Sequence, residues 1–181
     1  MKKELWNSSF EIARTLFPHE EWILTEQNIW VAKSRLKQRD KELEKWEKEM
    51  AQVRILTNRG SNAYFLPEKA MNNDNKKQCA DLVLDNEIVE MKMVSGSRVT
   101  LGGQFRYGLK QGSILLKDCN IIKEHSVFIW LLTDLSVGSV KAKIAGELKG
   151  RKDEGRFICL FEKTGDLYSW TYKELKNLIG R

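Results

Sequence analysis

The stretch from Cys79 to Val94 reads CADLVLDNEIVEMKMV and constrains the chain more than any other. Two largely apolar runs, 82–84 and 88–94, flank Asp85 and Asn86, residues that tolerate positive φ and close two-residue β-hairpins. With that loop, the ladder pairs Leu84 with Glu87, Val83 with Ile88, Leu82 with Val89 and Asp81 with Glu90. Opposed residues have Cβ atoms about 4.5–5.5 Å apart, and like charges held that way destabilise a sheet. Strand side chains alternate with period two, so Lys92 shares the face of Glu90 while Val89, Met91 and Met93 point to the other.

An acid opposite an acid, with a lysine one step along, has two explanations. The three side chains are solvated charges on an exposed strand, or they are a site. Mg²⁺ takes oxygen ligands and is usually held by one or two carboxylates with waters and substrate phosphate, so Asp81 and Glu90 suit Mg²⁺ or Mn²⁺. Lys92 beside them could position or deprotonate an attacking water, or stabilise a charged transition state.

At these residues the chain resembles the PD-(D/E)xK nuclease superfamily, in which an acid on one strand and an acid-x-lysine on the next bind metal and cleave phosphodiesters. Here the matching residues are Asp81 and Glu90-Met91-Lys92. A helix ending at Gly60, then Ala63 to Glu68, then the hairpin, is similar to the C-terminal tRNA-nuclease domains of contact-dependent growth-inhibition toxins, which also occur in phage and mobile-element proteins. The resemblance covers the chain from about Asp40 to Trp170, and Ala80 stands where the family carries a proline. It implies an α/β fold with a mixed central sheet flanked by helices. It further implies a glutamate on the first core helix that completes the site, here Glu49. A helix after the acid-x-lysine strand would carry Arg98, Arg106, Lys110 and Gln111 toward nucleic acid. RNA, and tRNA in particular, is the substrate the toxin likeness favours. A DNA endonuclease of resolvase or restriction type, and a non-catalytic module binding nucleic acid or a partner, are the alternatives. A toxin domain of this kind also implies an acidic immunity protein as a partner.

The 181 residues, 41% hydrophobic, suffice for a real core. The net charge of +6 is mixed with many acids, which suits a phosphate-bearing partner without establishing one. Three cysteines, Cys79, Cys119 and Cys159, lack C-x-x-C spacing and meet only two histidines, so neither a disulfide framework nor a zinc site is supported. They are expected to be buried or inert. No run of some 18 uncharged apolar residues exists to span a membrane. The expected place of action is the cytoplasm, reached directly or by delivery within a larger toxin or mobile-element protein.

Along the chain, residues 1–38 form an N-terminal extension of unassigned role and 39–181 the nuclease-like domain. Leu5, Ser9, Ile12, Ala13 and Leu16 recur at helical spacing up to Pro18, followed by short apolar runs at 22–24 and 29–31. From Asp40, the spacing of Leu43, Trp46, Met50, Val53 and Leu56 predicts the best helix, with their side chains on its buried stripe and Gly60 ending it. Residues 67–78 read as a polar loop bordering the substrate. Glycines at 102, 103, 108 and 112 weigh against a helix over 103–116, since each interior glycine costs about 1 kcal/mol relative to alanine. Ser126–Leu132 predicts a strand buried on both faces. A helix over 140–148, a hairpin of 157–161 with 167–171, and a helix over 172–179 complete the pattern. Trp130, Tyr168 and Trp170 are expected in packing roles.

Overall fold

The computed structural model describes residues 3–4, 8–39, 42–68, 80–118, 121–122 and 124–179. The chain divides into two units, Met1–Val89 with Ile114–Lys123, and Glu90–Ser113 with Glu124–Arg181. Both mix helices and strands, and none of the described helices is long and apolar enough to cross a membrane.

In the first unit, helix α1 (Ser9–Leu16) starts where the Ser8 hydroxyl accepts from the Glu11 amide at 3.2 Å, and stops at Phe17, just before Pro18. Strand β1 (Lys3–Glu4) pairs in parallel with the short β7 (Ile121–Ile122). Strands β2 (Trp22–Glu26) and β3 (Ile29–Ala32) form a hairpin whose turn places Asn28 at φ 62°. Helices α2 (Lys33–Arg39) and α3 (Leu43–Thr57) follow, then β4 (Ala63–Phe65), β5 (Leu82–Leu84) and the start of β6 (Glu87–Val94). The strands lie in the order β2-β3-β4-β5-β6, antiparallel except for β3 with β4, where Val31 stands beside Phe65. Residues 1–38 thus supply strands to the same unit as the hairpin. Ile12, Ala13, Leu16 and Phe17 pack with Tyr64, Leu66, Val83 and Ile88 in its core.

Strands β5 and β6 pair in the predicted register over three positions, Leu84 with Glu87, Val83 with Ile88 and Leu82 with Val89, but β5 begins at Leu82, so the expected fourth pair, Asp81 with Glu90, is not part of the ladder. Asp85 and Asn86 adopt φ of 44° and 70°, the left-handed backbone that a two-residue hairpin of this twist requires. The turn is also tied down. Ser9 Oγ accepts from the Asn86 amide at 2.9 Å and donates to its side-chain oxygen at 3.3 Å, while Asp85 accepts from the Asn62 amide at 2.9 Å.

Helix α3 buries Trp46, Met50, Val53 and Leu56 as its periodicity predicts, but Leu43 is 56% exposed. Leu43 opens the helix, and the first stripe residue to pack is Trp46, on the ring of Phe65. The predicted start at Asp40 lies outside the described residues.

The second unit holds the rest of β6, helix α4 (Arg98–Asp118) up to Ser113, β8 (His125–Leu131), α5 (Val137–Leu148), β9 (Arg156–Phe161), β10 (Asp166–Thr171) and α6 (Tyr172–Lys176). Its strands lie in the order β6-β8-β9-β10, with β8 parallel to β9 and β9 antiparallel to β10. Val127, Phe128 and Ile129 are fully buried, as expected of a strand covered on both faces. Phe105 meets Phe157 and Tyr172 edge-on in the core, and Trp170 stacks between Phe157 and Tyr168.

Helix α4, expected after the acid-x-lysine strand, runs unbroken for 21 residues through all four glycines despite their intrinsic cost. The reason is close approach. A Cβ at Gly108 would lie 3.0 Å from the Val127 methyls, and one at Gly112 only 2.5 Å from the His125 ring and 3.1 Å from its Cβ. Packing gained against β8 outweighs poor helix propensity, as tertiary context commonly does. Gly103 is different, since nothing lies within 4 Å of where its Cβ would be. Urea denaturation should therefore separate the two positions. Gly103→Ala is expected to stabilise by roughly 0.5–1 kcal/mol, and Gly112→Ala to destabilise by about 1–3 kcal/mol through overpacking against a buried ring. A stabilised Gly112→Ala would contradict the close-approach account.

Candidate functional site

Two clusters of buried charge hold most of the residues singled out from the sequence, one in each unit. In the second unit, the alternation of β6 puts Glu90 and Lys92 on one face, and the Lys92 ammonium donates to the Glu90 carboxylate. It also donates to Gln111 Oε1 at 2.7 Å. Gln111 and Tyr107 stand four apart on α4 and so project from one face of the helix. The Lys92 Nζ lies 5.1 Å from the centroid of the Tyr107 ring. Glu90 is 1% exposed and the Lys92 side chain 17%. A solvated strand face is therefore ruled out for this pair. An ion pair withdrawn this far from water costs more in desolvation than an apolar pair would, unless its remaining hydrogen-bonding capacity is met, and Gln111 meets part of it. Helix α4 comes close because of Gly108, whose missing Cβ would sit 3.4 Å from Glu90 Cγ.

In the first unit, Asp81 precedes β5 and Glu49 sits in the middle of α3, and both meet at Arg35 of α2. The Arg35 Nη2 donates to Glu49 Oε2 at 2.8 Å and to Asp81 Oδ1 at 3.4 Å. Its Nη1 donates to the carbonyls of Leu66 at 2.9 Å and Asp81 at 3.3 Å, and the guanidinium lies over the Phe65 ring. Arg35 is 3% exposed, and Lys45 joins the rim through Glu68 at 2.8 Å and Glu49 at 3.9 Å. Burial pushes the Glu49 carboxyl above the usual carboxylate range and the Asp81 charge pushes the same way, against the pull of Arg35 and Lys45. For Arg35, burial opposes the charge but Asp81 and Glu49 outweigh it, so the guanidinium is held protonated more firmly than usual.

The fold thus brings Glu49 beside Asp81 and brings Glu90, Lys92 and Gln111 together. Gln111, read as a nucleic-acid contact, is 5% exposed and turned toward Lys92. Arg98, Arg106 and Lys110 are exposed, and Arg106 bonds Glu147 at 2.5 Å, a carboxylate shared with Lys143. Cys159 is buried and its thiol pushed up to about 12 by burial, hence inert. Cys79, Cys119 and residues 69–78 of the loop read as bordering the substrate lie outside the described residues.

Arg35 and Tyr107 were not legible as site residues. The partners of Arg35 are 14 and 46 positions away and α2 has no clear apolar period, so the only signal was an arginine placed directly after a strand. Tyr107 sits in a helix whose face could be assigned only once its glycines were known to turn toward β8.

Removing Arg35 takes away the guanidinium that two largely buried carboxylates share. Arg35→Met should destabilise the fold by about 3–5 kcal/mol, the range for stranding buried charge. Arg35→Met with Glu49→Gln should lose clearly less than the sum of the single changes, since the pair couples; additive losses in denaturation would dismiss the cluster. The raised Glu49 carboxyl carries a sign as well. The folded state binds its proton more tightly than the unfolded chain, so its contribution is fully present below the ordinary glutamate range and lost as pH rises through the raised value. The melting temperature of Glu49→Gln relative to the parent should therefore climb as pH is raised from about 4 toward 7; a flat or falling difference would reverse the assignment. No protein family, curated protein or solved structure matches the chain, so these side chains carry the functional reading.

Proposed function

We propose that this chain is a metal-dependent nuclease of the PD-(D/E)xK type that hydrolyses phosphodiester bonds, with RNA, and tRNA in particular, as its substrate. The observation that carries the reading is the Lys92 ammonium held between Glu90 and Gln111 on a buried strand face. A lysine so placed does nothing for solubility, and its cost is explained by chemistry at a charged phosphate.

The donor set fits a hard divalent cation such as Mg²⁺ or Mn²⁺. Carboxylates of the kind such an ion takes stand in each unit, Asp81 with Glu49 in the first and Glu90 in the second. Asp81 and Glu49 are held by one nitrogen of Arg35. Mg²⁺ asks for only one or two carboxylates, the rest being water and substrate phosphate, so a dedicated cage of many side chains is not needed. When bound, the ion would supply Lewis acidity at the phosphate and offset the charge of the transition state.

The protein's own groups do the positioning. Gln111 accepts from the Lys92 ammonium and so limits where Nζ can sit. From there Lys92 can donate to a phosphate oxygen as negative charge builds, or orient the attacking water. Arg35 orients Asp81 and Glu49 through its guanidinium, and its charge works on the Glu49 carboxyl against the burial that raises it.

Single-turnover cleavage of total tRNA and of duplex DNA, each with Mg²⁺ and with EDTA, tests this reading. The parent is expected to cut tRNA in Mg²⁺ only, and Lys92→Met, which keeps the stem and removes the charge, to be slower by on the order of 10²–10⁴. A Lys92→Met rate within about threefold of the parent would remove Lys92 from the chemistry. Cleavage of duplex DNA alone would replace the RNA reading with a DNA endonuclease, and no cleavage of either would leave a binding module.

A further inference from the structure

The most exposed aromatic ring of the second unit stands beside the lysine of the proposed site. Tyr107 is 47% exposed, yet it belongs to the same helical face as the buried Gln111. Its ring faces the Lys92 ammonium, 5.1 Å from the centroid. A tyrosine buried for packing would hide its faces, and one kept for solubility would not sit against a buried ion pair. One turn before Tyr107 on the same helix stands residue 103. That residue is Gly103, with nothing within 4 Å of where a side chain would begin. The helix surface one turn from the ring is therefore open. Arg106 and Lys110, both exposed, flank it on the same helix.

We propose that Tyr107, with Gly103 as its floor, is a stacking platform for an unpaired nucleobase of the substrate. The inference rests on the nuclease reading and narrows its substrate class to nucleic acid presented as a single strand or loop, because only an unstacked base offers a free π-face. Stacking on an aromatic side chain is tolerant of base identity. The exposed Lys110 would take a flanking phosphate, a contact that positions a strand without reading its sequence.

The test uses binding in EDTA, where no cleavage occurs. Fluorescence anisotropy is measured with a labelled, unstructured single-stranded oligoribonucleotide and with a blunt RNA duplex. Tyr107→Leu keeps an apolar cover over Lys92 but has no π-face. It should weaken single-strand binding by about 5- to 150-fold, the range for one stacked base, and change duplex binding by less than about twofold. Tyr107→Phe should match the parent on both. Gly103→Leu, which fills the floor and leaves the ring in place, should weaken single-strand binding as Tyr107→Leu does. Equal losses on single strand and duplex, or no loss, would overturn the platform; so would a Tyr107→Phe as weak as Tyr107→Leu, since the hydroxyl would then be responsible. A parent that cuts tRNA while Tyr107→Leu binds single strands unchanged refutes the platform alone. A parent that binds single strands through Tyr107 but cuts nothing refutes the nuclease reading alone. A parent that binds neither nucleic acid refutes both.

Discussion

A glutamate and a lysine buried side by side on one strand are tolerable only if something closes over them and supplies the hydrogen bonds that water would have made. In the second unit that something is helix α4. It delivers Gln111 to the Lys92 ammonium and lays Tyr107 across it. It can do so because residues 108 and 112 have no side chains to hold it away from Glu90, Val127 and His125. The ion pair, the helix and its glycines therefore depend on each other. Apolar residues in place of Glu90 and Lys92 would fold at lower cost. The retention of charge in so unfavourable a place is the physical reason to look for chemistry there.

The first unit solves a related problem with the opposite sign. Asp81 and Glu49 are carboxylates drawn out of water, and Arg35 is the cation that makes their proximity bearable. A planar guanidinium suits the task because it can serve two acceptors from one nitrogen and two carbonyls from the other, while its face rests on Phe65. The arginine comes from a segment that carried no recognisable motif. Its position is set by β3, which leads directly into α2 and pairs in parallel with β4, the strand that ends at the Phe65 ring.

Much of the fold was legible from local chemistry. Asp85 and Asn86 announced a hairpin because few residues accept positive φ in succession, and the register that followed placed Leu82 to Leu84 against Glu87 to Val89. The continuous apolar run around Phe128 announced a strand covered on both faces, and Trp46 to Leu56 a helix with one buried stripe. The face shared by Glu90 and Lys92 followed from the two-residue period of a strand. Propensity taken alone was a poor guide to α4: four glycines counted against the helix expected there on intrinsic cost, whereas the absent side chains of two of them are what its packing needs. Leu43 fitted the apolar period but opens the helix and stays exposed.

The sequence by itself determined the elements whose causes are local, namely turns set by φ, strands and helices set by periodicity, and the pairing of side chains two apart on one strand. It could not determine whether the Asp-Glu-Lys residues face water or protein, because burial depends on what packs over a strand rather than on the strand. Only the tertiary structure decided that Glu90 is withdrawn from solvent, that Gln111 turns inward to Lys92 while Arg106 turns to Glu147, and that Arg35 gathers Asp81 and Glu49. Those contacts join residues 14 to 46 positions apart, and at such separations charge and hydrogen-bonding capacity are visible in the chain while partnership is not.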